Sequence, residues 1–173
     1  MSVRLANAME RCIPTILDEW SRRTRGSELD SICEIDRAGD LADVLRAMAD
    51  ALRPVRAGSR AVDEFIEIAA AHGARRRAQG VHEGCLFVEY ELLGATVPHA
   101  LRSCEHGSLA PEDLASLEGG FTTAILAGLR GFHRGEFERR GAWNETLARV
   151  AIELSDIAPA RRDPGEQQPP ASR

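Results

Sequence analysis

The residues of this chain that could carry out chemistry together lie in one stretch, residues 69–93. His72 and Glu89 stand on either side of Gly80, eight residues before it and nine residues after it. If Gly80 separates two helices, a rise of about 1.5 Å per residue places both side chains roughly 12–13 Å from the turn. An antiparallel helix pair would bring the imidazole against the carboxylate, and Tyr90 would add a hydroxyl. Such a hydrogen bond fixes the imidazole tautomer.

Three interpretations of this cluster are open. It can be a set of buried polar residues that ties two helices together, because buried polar groups nearly always pair. It can be a polar cluster that responds to a ligand. It can be a catalytic acid/base pair, although no nucleophile or second base accompanies it. We expect a structural or ligand-responsive cluster without a catalytic residue, formed by His72, Arg75, Gln79, Glu89 and Tyr90.

Other groups in the sequence could bind a metal, haem or phosphate. His82 and Cys85 are one helical turn apart, but two ligands do not make a site, and HEGC lacks the second histidine of HExxH. His72 or His99 could be nominated as a haem ligand, without a specific pattern around either. The run Arg75–Arg77 is expected to be a solvated helix end, with a phosphate site as its alternative. We expect no metal and no cofactor.

Apolar residues recur at helical spacing along nearly the whole chain, and no strand pattern is present. The sequence therefore predicts an all-α protein, a bundle of about six helices or a globin-like packing. Pro14 and Pro98 predict kinks inside the first and fourth helices. The first four predicted helices cover about residues 4–24, 40–53, 59–79 and 82–104. The fifth opens at Pro111, with an apolar stripe to Phe132, and the sixth follows Gly141, with an apolar seam to Ile157.

Glycines mark the turn and a packing face. Gly80 follows a helix and is expected to adopt positive φ as a left-handed cap, so Gly80→Val should cost more than about 1 kcal/mol. Gly128, Gly131 and Gly135 fall near one face of the fifth helix. A face of this kind lets another helix backbone come close.

The last predicted helix carries an apolar seam at spacings of 4, 3, 4 and 3, formed by Trp143, Leu147, Val150, Leu154 and Ile157. The seam favours a homodimer, although it could also dock on the chain's own bundle. The first helix is the expected second contributor, through Leu5, Met9, Ile16 and Trp20. We expect one all-helical domain over residues 1–158 and a disordered polar tail over residues 159–173.

Composition excludes several classes of partner. The net charge of −5 favours neither nucleic acid nor an anionic membrane surface. No apolar run approaches the roughly 20 residues that span a bilayer, and the N-terminus lacks the apolar region of a signal peptide. The four cysteines form no CxxC motif and are expected to be free thiols. These features predict a cytoplasmic protein.

The central stretch resembles a known family. The frame H-x-x-R-x-x-x-Q-G-x8-E-Y-x-L-L, from His72 to Leu93, is similar to the signature of the RsbRD-type N-terminal sensory domain of RsbT co-antagonist proteins. Trp20 fits the same pattern, and the resemblance covers roughly residues 10–155. The chain departs from the family at Gly94, where an arginine is common, and it resembles a stand-alone copy because no output-domain pattern follows residue 158.

This resemblance implies an all-helical regulatory input module related to non-haem globins. It implies that the chain is not an enzyme and that it acts in bacterial signal transduction and stress response by contacting a protein partner. The alternative is a globin-like sensor of a small molecule, with or without haem. An enzyme that uses the pair His72 and Glu89 as acid and base is the third possibility.

Overall fold

The chain is described by a computed structural model over residues 3–25, 37–53, 59–105 and 107–157. Side chains are described in these ranges except at residues 37–39, 59 and 137–157. The described part contains α-helices and no strand, which confirms the all-α bundle. The five helices are α1 Val3–Thr24, α2 Arg37–Ala51, α3 Ser59–Ala78, α4 Glu83–Glu105 and α5 Pro111–Ile157.

The sequence predicts about six helices and the described residues form five, because the fifth and sixth predicted helices are the single 47-residue helix α5. The sequence predicts that the last helix begins after Gly141. Glycine lowers helix stability by about 1 kcal/mol relative to alanine, but it keeps its backbone N–H and does not interrupt the hydrogen-bond ladder. Pro14 and Pro98 likewise lie inside α1 and α4 without dividing either helix into two.

The chain divides into two compact units, Met1–Arg134 and Gly135–Arg173. The seam from Trp143 to Ile157 belongs to the second unit. Its backbone is helical, but its side chains lie outside the described residues. The predicted tail, residues 159–173, also lies outside them. Everything that follows on side chains concerns the first unit.

The core of the first unit is built around the apolar face of α1. Leu5, Met9, Ile16 and Trp20 are at most 2% exposed and pack in the chain's own core. The expectation that these four residues contribute to a dimer interface is therefore wrong. Their helical spacing is the same for a surface seam and for a core stripe, and here it makes the core.

The turn between α3 and α4 is fixed by backbone hydrogen bonds. Gly80 has a φ of 77°, as predicted. Its N–H donates to the carbonyl of Arg77 at 3.0 Å, and the N–H of Val81 donates to the carbonyl of Arg76 at 3.0 Å. These two bonds form a Schellman cap, which satisfies carbonyls that the end of α3 would leave unpaired. His82 then caps α4, because its Nδ1 accepts a hydrogen bond from the N–H of Gly84 at 3.0 Å.

Helices α3 and α5 touch backbone to backbone. A Cβ atom added at Gly131 would collide with the carbonyl oxygen of Ala70, and one added at Gly73 would collide with the carbonyl oxygen of Gly128. The predicted glycine face is thus confirmed for Gly128 and Gly131. A Cβ at Gly135 would meet no atom within 4 Å.

Three glycine substitutions should separate these roles. Gly131→Ala should lower the free energy of unfolding by about 1–3 kcal/mol, because backbone cannot yield to the new methyl group. Gly80→Val should lower the free energy of unfolding by more than about 1 kcal/mol. The cause is the positive φ alone, since a Cβ there meets no atom within 4 Å. Gly119→Ala, on the same helix as Gly131 and in open space, should instead stabilise by about 1 kcal/mol. Urea denaturation measures all three, and equal effects of Gly131→Ala and Gly119→Ala would contradict the close helix contact.

Candidate functional site

The centre of the site is a buried carboxylate held by two cationic or polar side chains of the neighbouring helix. His72 Nε2 lies 3.1 Å from Glu89 Oε2. Arg76 donates from Nε to Oε2 at 3.0 Å and from a terminal nitrogen to Oε1 at 2.6 Å. His72 and Arg76 are 0% exposed and Glu89 is 3% exposed. The prediction that His72 and Glu89 meet across the two helices is confirmed.

Helical geometry brings two residues of α3 and the residue that directly follows its end to one face. His72, Arg76 and Gln79 are spaced by four and three residues, so they stack on consecutive turns. Arg76 also donates to the side-chain oxygen of Gln79 at 3.0 Å. The capped turn at Gly80 reverses the chain and presents Glu89 of α4 to this face. We call the residues His72, Arg76, Gln79 and Glu89 the α3–α4 clamp.

The electrostatics of the clamp favour an ionised Glu89. Burial opposes the charge and is the largest single influence on its pKa, but the hydrogen bonds from His72 and Arg76 together outweigh it. The pKa of Glu89 is therefore lowered from its ordinary value. Two parallel bonds from one guanidinium are among the strongest that a carboxylate can accept. Because an ionised carboxylate only accepts, the hydrogen between His72 and Glu89 lies on Nε2.

Two polar atoms next to the clamp are buried without a hydrogen-bond partner among the described residues, His72 Nδ1 and the Tyr90 hydroxyl. The rings of His72 and Tyr90 meet edge to face, with centroids 5.5 Å apart. Burial raises the pKa of Tyr90, so the phenol is neutral. Tyr90 reaches towards Gly128 of α5, where an added Cβ would lie 2.9 Å from its ring. The ring therefore occupies space that only glycine leaves open.

The structure replaces one predicted member of the cluster. Arg75 is not part of it: its side chain is 45% exposed and its Nε donates to Asp40 Oδ2 at 2.6 Å. The member that sequence reasoning missed is Arg76, which was assigned to a solvated helix end. Spacing alone does not separate the two arginines, because Arg75 and Arg76 follow His72 by three and four residues and both fall near its face. Arg77 lies over the Phe132 ring, 5.1 Å from its centroid, so the three arginines have three different surroundings.

The other candidate ligands are not members of the clamp. His82 caps α4, and His99 is exposed on the same helix. The residues that the structure describes include no group of three or more His, Cys, Asp or Glu side chains placed to hold a metal ion. Cys12, Cys85 and Cys104 form no disulfide among the described residues, and Cys33 lies outside them. Burial and a hydrogen bond with Cys104 raise the pKa of Cys12 to about 12, which keeps it a thiol.

Chemically, the clamp holds two helices together, and its members His72, Arg76 and Glu89 are closed to solvent, whereas Gln79 is exposed. Comparisons with protein-family models, with curated proteins and with solved structures found no match to this chain. Among the described helices, none is both long enough and apolar enough to cross a membrane. Function is therefore inferred from the geometry of the described residues.

Arg76 and Arg75 form a matched pair for testing the clamp. Arg76→Met should lower the free energy of unfolding by about 3–5 kcal/mol, because it leaves a buried carboxylate without its main partner. Arg75→Met removes an exposed ion pair and should cost less than about 1 kcal/mol. The double variant Arg76→Met/Glu89→Leu should lose less free energy of unfolding than its two single variants lose together. Equal losses for Arg75→Met and Arg76→Met in urea denaturation would contradict the clamp.

The stability of the protein should depend on pH through Glu89. Its folded pKa lies below the ordinary value of 4.5, so its contribution to stability is complete above that value. It is lost as the pH falls through the lower, folded pKa. The difference in unfolding free energy between wild type and Glu89→Gln should stay constant near neutral pH and shrink below about pH 4.5. Glu91→Gln, on the same helix but exposed, is the control, and a difference that grows on acidification would reverse the assignment.

Proposed function

We propose that this chain is a non-enzymatic input module of bacterial signal transduction, similar to the RsbRD-type N-terminal sensory domain. The observation that carries the proposal is the clamp itself. Three residues of the family-like frame, His72, Gln79 and Glu89, meet there through Arg76, and Tyr90 packs on His72. Residues that are far apart in the frame thus serve one buried interaction.

The clamp supports a switching role better than a catalytic one. A substrate would have to separate α3 from α4 to reach His72 or Glu89, because both are at most 3% exposed. A partly broken network of buried charges is strongly disfavoured, since each unpaired charge costs several kcal/mol. Such an element is closed or fully open, and this is the behaviour that a regulatory domain requires. The globin-like haem alternative is less well supported, because Nε2 of His72 is bonded to Glu89.

In this proposal the module works in the cytoplasm and passes its state to a protein partner. It acts as a homodimer through the seam from Trp143 to Ile157. The 4-3-4-3 spacing of the seam and the helical backbone of residues 111–157 support this arrangement. Light scattering measures the oligomeric state of the wild type and of the double variant Leu147→Glu/Leu154→Glu. A monomeric wild type at micromolar concentration would remove the dimer from the proposal.

The experiment that tests the function uses the chromosomal gene of the source bacterium. Deletion should change the transcript profile of the stress response, wild-type complementation should restore it, and Glu89→Gln should not. Glu91→Gln should restore it like wild type, because this exposed carboxylate lies outside the clamp. Protein levels are matched by immunoblotting. A deletion that leaves the profile unchanged but accumulates a single metabolite would indicate an enzyme and overturn the proposal.

A further inference from the structure

A cavity of about 330 Å³ that is largely open to solvent lies between α2, α3 and the first turns of α5, and none of its lining residues belongs to the clamp. Its inner wall is formed by Met48, Leu52 and Phe65, which are at most 6% exposed. The α5 side of the cavity carries only small residues, among them Gly119 and Gly120. A volume near 300 Å³ is at the lower end of small-molecule sites. It is far too small for a helix, whose diameter is about 10–12 Å.

The glycines on the α5 side are not explained by packing alone. Gly120 leaves room for Met48, because an added Cβ would lie 3.0 Å from its sulfur. Gly119 is different, since an added Cβ would meet no atom within 4 Å. A glycine inside a helix costs about 1 kcal/mol relative to alanine. Gly119 therefore keeps open space beside the cavity at a cost in stability that no close contact requires.

The polar groups of the cavity limit the chemistry of an occupant. Ser116 donates its hydroxyl hydrogen to the carbonyl of Glu112 at 2.8 Å, and Thr123 donates to the carbonyl of Gly119 at 2.9 Å. Both hydroxyl oxygens keep a lone pair and can accept a hydrogen bond. Among the described residues that line the cavity, none is charged. A charged group would therefore find no ionic partner among the described lining residues and would leave part of its hydration for apolar contacts.

We propose that this cavity binds a small, neutral, predominantly apolar molecule that carries one hydrogen-bond donor. The apolar body packs on Met48, Leu52 and Phe65, and the donor reaches the hydroxyl oxygen of Thr123 or Ser116. Met48 adapts to the shape of the occupant because its side chain is unbranched and polarisable. Describing this molecule as the signal rests on the proposed function. The binding itself does not rest on the proposed function, because it can be measured with the purified chain alone.

The test uses the small number of methionines. The chain has three, and Met48 lines the cavity whereas Met9 is buried in the core around α1. The purified full chain, labelled with ¹³C at the methionine methyl groups, is titrated with 1-naphthol, which is neutral at pH 7. Met48→Leu and Met9→Leu assign the signals. The Met48 methyl should shift and saturate through the ring current of the bound molecule, while the Met9 methyl should stay in place.

Matched probes and variants check the chemistry and the location. The anion 1-naphthoate should bind at least about tenfold more weakly than 1-naphthol. Thr123→Val should weaken the binding of 1-naphthol by about fivefold and leave the binding of naphthalene unchanged. Ala51→Leu, which fills the cavity, should abolish saturation, whereas Ala115→Leu on the exposed face of α5 should not. If Ala51→Leu does not melt cooperatively, Val62→Phe replaces it.

Three results would overturn the proposal. The first is a Met48 signal that does not saturate or that moves together with Met9. The second is equal binding of 1-naphthol to wild type and to a folded cavity-filling variant. The third is a Met48 shift that depends on protein concentration without any probe, which would make the cavity a contact between two copies. If 1-naphthol does not bind but the cellular phenotype is intact, the proposed ligand site is wrong and the proposed regulatory role stands.

Discussion

The structure depends on keeping one charge, that of Glu89, inside the protein. Moving a carboxylate out of water costs several kcal/mol even after relaxation, so the fold must supply partners at the right height on the facing helix. Arg76 provides two parallel hydrogen bonds and the balancing charge, and His72 provides a third contact. This requirement fixes the register of α3 against α4. A slip by one turn would separate the charges, so the clamp specifies the pairing as well as strengthening it.

The rest of the local structure can be understood as support for that register. The Schellman cap at Gly80 and the His82 cap connect the two helices with only Val81 between them, which leaves little freedom in the turn. On the far side, Gly128 makes room for the ring of Tyr90, and Tyr90 packs edge to face on His72. The glycine contacts of α5 with α3 therefore reach the clamp through one aromatic ring. A small change in the way that α3 and α5 cross would therefore change the packing around the imidazole of His72.

Sequence patterns predicted the parts of this arrangement that are local. Distances from Gly80 placed His72 opposite Glu89, and the position of Gly80 after a helix predicted its positive φ. Patterns could not decide which arginine turns inwards, because Arg75 and Arg76 differ by one residue and both precede a helix end. That choice depends on the direction in which α4 presents Glu89. The cavity left no signal beyond two costly glycines, since a cavity is a property of three packed helices.

The cavity and the clamp share a helix face, and this relation decides how the two could be coupled. Phe65 at the cavity and His72 in the clamp are seven residues apart, so they lie on the same stripe of α3, about 10 Å from each other along the axis. Ala69 between them is fully buried. A helix transmits a rotation or a shift over this distance as a rigid body, so a movement of Phe65 moves His72 as well. An occupant that binds better when the clamp is closed must strengthen the clamp, and one that binds better when it is open must weaken it. The strength of the coupling equals that difference in affinity, whatever the identity of the molecule.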